Sequence, residues 1–215
     1  TPRAADGHPD FTGLWSPDRN FIYDISSALK KGETLPIQPW AEKLTKEHMS
    51  KDDPEANCLP TGVPRQAPYP WKIVQIPGYL YFLFEGNIHS YRQIFVNGKH
   101  PEDPDPTWYG HSIAKWDGDT LIVDSNGFRD DTWIDWNGSV VTEAAKIHEE
   151  MRRPDFGHLE IKVTVDDPKA YTKPWTVTLK QRLVVDAELI DEICLENEQF
   201  VKRMGLEPKD KPAAK

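Results

Sequence analysis

Histidine, carboxylate, phenol and guanidinium groups are the side chains with which a protein moves protons and holds anions near neutral pH. They gather around one stretch of this chain, "WYGHSIAKWDGDTLIVDSNGF", residues 108–128. Tyr109 and His111 precede an alternating run. Asp117-Gly118 breaks that run with one of the strongest short hairpin signals, and Asp124 closes the returning arm. A hairpin brings the far ends of its two arms together, so His111 and Asp124 are expected at one end of a sheet. The preceding loop "GKHPEDPDPTWYGH" carries His100, Trp108 and Tyr109 to the same end, and prolines around Asp103 and Asp105 stiffen it. Rim loops on a rigid scaffold are where binding groups commonly stand.

Strand alternation adds two more candidates. In "AAKIHEEMRR" the polar stripe is Lys146, His148, Glu150 and Arg152, which leaves Glu149 and Arg153 on the stripe of Ala145, Ile147 and Met151. A carboxylate facing a core must be paired, protonated or solvated in a cavity. Two readings stay open for Glu149: a structural pair with Arg153 near a barrel mouth, or a carboxylate of raised pKa in a ligand cavity. "YLYFLFEGNIHSYRQIFV" poses the same choice, with Tyr81 and Glu85 on one arm and Arg92 on the other. Glu85 and Arg92 can form a cross-strand ion pair. If Arg92 shares the side of Ile94 it instead projects inward and can clamp a carboxylate.

Cofactor-free acid–base chemistry fits this set. An aromatic-lined interior would draw the pKa values of His111 or Glu149 toward neutrality, with Tyr109 and Asp124 beside them. Arg92 or Arg153 would anchor an anionic substrate or a developing oxyanion, and Glu85, His100, Trp108 and Tyr81 would complete the binding wall. The expected reaction is of lyase, isomerase or decarboxylase type on a small hydrophobic, aromatic and anionic molecule. Two alternatives remain. One is a secreted carrier that binds such a molecule without chemistry. The other is a mononuclear Zn or Fe enzyme using His100, His111 and Asp124 or Glu85, although no HxH or HExxH spacing supports it. No GxSxG elbow, phosphate-cradling glycine loop or dinucleotide fingerprint is present.

A net charge of −9 over 215 residues argues against nucleic acid or an anionic membrane surface as partner. No apolar run reaches the roughly 20 residues that span a bilayer. Cys58 and Cys194 can be one disulfide or two separate thiols. With the opening "TPRAADGHPD", they incline the reading toward a periplasmic or secreted protein whose leader has been removed. A homodimer is compatible with all of this.

The elements that must position these groups are mostly strands. Residues 1–70 read as a short strand at "PDFTGLWSP", a helix in "PIQPWAEKLTKEHMS" that starts at Pro39, and a Pro-rich wrap. From Trp71 to about residue 200 the chain alternates, from "WKIVQI" to "ELIDEICLE", with turns at Pro77-Gly78, Gly86-Asn87, Asn97-Gly98, Asp117-Gly118 and Asp186-Ala187. Short connections favour antiparallel neighbours. The expectation is a single all-β domain: an antiparallel up-and-down barrel of about eight strands, followed by a flexible tail at 201–215. A two-sheet sandwich is second.

The Gly-x-Trp of "TGLW" leading into a meander resembles the first strand of lipocalin/calycin barrels. Over almost the whole chain, "PDFTGLW", "CLPTGVPR", "GHSIAKWDGDTLIVDSNGF", "EEMRRPD" and "DDPKAYTKPWT" resemble an uncharacterised exported bacterial family. That resemblance implies export and names no activity.

Overall fold

The computed structural model describes residues 1–17, 23–65, 70–85, 90–130, 132–190 and 194. Strands β1 (Gly13–Pro17), β2 (Trp71–Ile76), β3 (Tyr79–Phe84), β4 (Ser90–Val96), β5 (His111–Asp117) and β6 (Thr120–Asn126) come first. They are followed by β7 (Thr132–Trp133), β8 (Val140–Val141), β9 (Lys146–Arg152), β10 (His158–Asp166) and β11 (Trp175–Val184). Among the described residues nine of these close a barrel in the order β1-β11-β10-β9-β6-β5-β4-β3-β2, while β7 and β8 form a separate ribbon. The all-β barrel is therefore present, with one strand more than the sequence suggested.

One seam departs from the expected antiparallel meander. β4 and β5 run parallel and share only Ile94↔Ser112, Phe95↔Ile113 and Val96↔Ala114. Asn97-Gly98 is thus not a hairpin turn. Asn97 adopts φ 59° and opens a connection that climbs the barrel wall to Gly110, because parallel neighbours need a crossover. The Pro77-Gly78 and Asp117-Gly118 turns behave as read, whereas Asp186-Ala187 leads into no strand among the described residues. Gly78 and Gly118 take φ 84° and 57° between antiparallel arms, as tight hairpins demand.

Strand alternation builds the core. β10 buries Leu159, Ile161, Val163 and Val165 against Trp175, Val177 and Leu179 of β11. Each such side chain contributes about 1.5–3 kcal/mol on leaving water. On β11 the fourth inward position is Gln181, which accepts a hydrogen bond from Trp71 Nε1 at 3.2 Å; Leu183 is only half-buried. Helix α1 (Pro39–Glu47) begins at its proline as expected and buries Ala41.

Register separates two barrel ends. The 17, 71, 84, 90, 111, 126, 146 and 175 positions form the upper end, and 13, 76, 96, 117, 152, 158 and 184 the lower. The first twelve residues strap the lower end. Phe11 N donates to Gln75 Oε1 at 2.9 Å, Trp15 Nε1 to Phe11 O at 2.9 Å and Arg3 Nη2 to Asp119 at 2.7 Å. The helix, the Pro-rich wrap and the β7–β8 ribbon lie toward the upper end. Cys58 and Cys194 are bonded, with Cα atoms 5.8 Å apart. Glu188 to Ile190 lie outside any strand, contrary to the expected "ELIDEICLE" strand. The Gly86-Asn87 turn and the 201–215 tail fall outside the described residues.

Candidate functional site

The sheet divides the side chains that the sequence drew together. On β5, Ser112 and Ala114 point inward, so His111 faces out; on β6, Val123 and Ser125 point inward, so Asp124 faces out. Both stand at the upper end, but on the outer wall. Glu149, between Ile147 and Met151, lies inside at 2% exposure. His111 and Glu149 therefore cannot meet across a common substrate.

Outside, His111 stacks on Phe95 with ring centroids 5.0 Å apart, and its Nδ1 lies 3.0 Å from Nδ1 of His100. Burial lowers the pKa of both imidazoles, and for His100 the neighbouring His111 adds to the effect. Asp124 accepts a hydrogen bond from His148 Nδ1 at 2.7 Å. Tyr81 packs against Tyr79 and Tyr91 on the same outer wall, and Trp108 lies 4.6 Å under the Arg129 guanidinium. Among the described residues no group of three His, Cys, Asp or Glu side chains could hold a metal ion, and the His100, His111, Asp124 and Glu85 set does not converge.

Inside, Arg92 faces the core opposite Phe82 and does not pair with Glu85, whose carboxylate accepts from Ile190 N at 3.2 Å. Arg92 donates to both Glu149 oxygens, Nη1 to Oε1 at 3.2 Å and Nη2 to Oε2. Its Nε donates to Ser112 Oγ at 3.0 Å and Nη2 also to Ser125 Oγ at 2.9 Å, while the two serine hydroxyls are 2.8 Å apart. These groups come from β4, β5, β6 and β9, so the network straddles the short parallel seam. The alternative of a Glu149–Arg153 pair is not what forms. Arg153 lies past the lower end of β9 and donates to the backbone carbonyls of Asp10 and Phe156.

The remaining member of the anticipated set, Tyr109, takes part in a different cluster at the upper end. Gly110 follows it at φ 66°, where a Cβ would sit 2.6 Å from Asn126 O, so a glycine is needed to swing the chain from Tyr109 into β5. The phenol lies 2.6 Å from Ser90 Oγ and its ring packs on Phe84 at 5.4 Å. Burial, reinforced by the nearby Glu55 carboxylate, pushes its pKa up to about 12. The hydroxyl thus stays a proton donor throughout the neutral range.

Glu55 belongs to a 3-10 turn, Glu55–Asn57, beside the bonded Cys58. Asp53, just before that turn, accepts from Glu55 N at 3.0 Å. Arg65, fully buried, fastens the segment. Its Nη2 donates to Asp53 at 2.6 Å and to Glu55 Oε2 at 2.8 Å, and its Nη1 to Asp135 O at 3.2 Å. Burial raises the Glu55 pKa, and the charge of Arg65 opposes that rise without cancelling it. Asp135, also raised by burial, accepts from Ile25 N, Ser139 N and Ser139 Oγ, each at 2.9 Å. His48 stacks on Trp133 at 4.4 Å and its Nδ1 donates to Gly138 O at 2.9 Å.

A carboxyl with raised proton affinity, a persistent phenol donor and a fixed guanidinium are the parts of an acid–base site. Sequence reasoning missed Glu55 and Arg65 because "DDPEANCLPTGVPR" has no period from which to read a face. The available signal was two acids and an arginine pinned around a cysteine in a Pro-rich segment. No known protein family, curated protein or solved structure matches the chain.

Proposed function

We propose that this protein is an acid–base enzyme of lyase, isomerase or decarboxylase type that acts without a cofactor on a small aromatic anion at the upper end of the barrel. The observation that supports this most is Glu55, a buried carboxyl that Arg65 Nη2 holds at 2.8 Å, whose pKa burial raises and whose charge acts on the Tyr109 phenol. In this reading Glu55 exchanges a proton with the substrate. Tyr109 donates to the oxygen on which charge develops, and Arg65 keeps the carboxyl oriented. The Cys58–Cys194 bond supports a periplasmic or secreted setting.

The test is a panel of aromatic carboxylic acids carrying an ionisable C–H, scored for product. Glu55→Gln is expected to lower turnover by about 10²-fold or more, and Tyr109→Phe by about tenfold. Unchanged turnover in Glu55→Gln refutes the assignment. A second reading is a carrier without catalysis, since inside the barrel Arg92 and Glu149 satisfy one another and, among the described residues, leave no unpaired acid or base there for chemistry. Binding of panel members, with no product formed from any of them, would select it.

A further inference from the structure

The described arginines that are buried differ in how their charge is met. Arg92 has Glu149, and Arg65 has Asp53 and Glu55. Arg153, only 5% exposed, has no carboxylate within ion-pair distance among the described residues. Its two terminal nitrogens donate to carbonyls, of Asp10 and of Phe156, and its buried Nε has no partner. Its guanidinium is held 5.0 Å from the Trp15 ring and 5.5 Å from that of Phe156. Carbonyl dipoles and ring faces orient a cation, but they do not neutralise it, and an unneutralised buried charge is costly. Asp10 and Asp155 attract the guanidinium through space, but neither carboxylate comes within ion-pair distance of it: Asp10 accepts from Thr12 N at 2.8 Å, and Asp155 from Gly157 N and His158 Nδ1, both at 2.8 Å.

Arg153 also lines a cavity of about 390 Å³, walled by Leu14, Leu183 and Phe156, with Lys72 beside it. That size lies within the usual range for small-molecule sites, about 300–1,000 Å³. Lys72 is held at 3.0 Å by Glu188, whose side chain is 82% exposed. Such an exposed pair is weak and yields readily to a competing anion. The cavity sits at the lower end, away from Glu55 and Tyr109, so the inference does not depend on the proposed reaction.

We propose that this cavity is a receptor for a small carboxylate with an apolar body. The carboxylate supplies the charge that Arg153 lacks and displaces Glu188 from Lys72. The apolar body lies against Leu14, Leu183 and Phe156. Asp10, on the same wall, disfavours dianions and so selects a single carboxylate over phosphate.

Benzoate is the probe, titrated into the full chain and followed by backbone amide NMR, with inorganic phosphate as the comparison. Saturable shifts at Gly13, Phe156, Gly157 and Val184 with a Kd of about 1 mM or tighter are expected. Arg153→Lys, which keeps the charge but loses the fork, is expected to weaken binding about tenfold. Because Arg153 also ties down the N-terminal strap, Phe156→Ala is the safer variant. Phe156 is 61% exposed, so the fold should persist while benzoate affinity falls several-fold. Glu55→Gln should leave the titration unchanged, which separates this site from the reaction. Absent shifts, shifts confined to residues around Tyr109, equal shifts with phosphate, or full affinity in Phe156→Ala would each overturn the proposal.

Discussion

A Glu149→Gln substitution removes the carboxylate that faces Arg92 while nearly preserving shape, and it leaves the guanidinium charged at 1% exposure. Ser112 and Ser125 still accept from Nε and Nη2, but hydroxyls bring no compensating charge. Breaking a buried pair in this way costs about 3–5 kcal/mol, against a typical total of about 5–15 kcal/mol. With an m-value of about 2–3 kcal/mol/M, a loss of about 4 kcal/mol lowers the urea midpoint by about 1.3–2 M. The double substitution Arg92→Met with Glu149→Leu removes both charges together. Ser112 and Ser125 keep their mutual 2.8 Å hydrogen bond, and most of the lost stability should return. Urea unfolding followed by tryptophan fluorescence reads both variants. A Glu149→Gln midpoint within about 0.3 M of the parent, below about 1 kcal/mol, would refute the view that this pair clamps the parallel seam. A stable double variant that lost turnover, alongside a Glu55→Gln variant that kept it, would return Glu149 to the reaction.

The outer wall and the disulfide give three further outcomes. His100 and His111 both have folded pKa values below the ordinary 6.5, so the unfolded chain binds more protons just beneath that pH. Stability therefore falls as pH drops through and below about 6.5, and His111→Ala should move the His100 pKa upward in an NMR titration. An unmoved His100 would deny the Nδ1–Nδ1 contact. Reducing the Cys58–Cys194 bond, which closes a loop across 136 positions, should lower stability by about 2–5 kcal/mol, read by urea unfolding with and without reductant. An unchanged midpoint would show that the bond constrains nothing in the unfolded chain.

Local order was legible in the residues themselves. The Asp117-Gly118 hairpin, the Pro39 helix start, the inward stripe of β10 and the inward placement of Glu149 all follow from spacings of two or a few residues. Those spacings act within one element, where backbone geometry alone fixes the direction of each side chain. The same rule, applied to β5 and β6, puts His111 and Asp124 on the outer wall once Ser112, Ala114, Val123 and Ser125 are taken as the inward set. Sequence could not choose that set, since one stripe of β5 holds Ser112, Ala114 and Trp116 and the other His111, Ile113 and Lys115, each mixing polar and apolar residues. Only the tertiary structure decided that β4 and β5 run parallel, that Arg92 takes Glu149 rather than Glu85, and that Arg153 is left with carbonyls. It also brought Glu55 and Arg65 from an aperiodic wrap toward Tyr109, more than forty positions along the chain. Pairings between distant segments are settled by closure of the barrel and by the cost of leaving a charge buried without a partner. Both act on the folded whole, and neither leaves a period in the sequence.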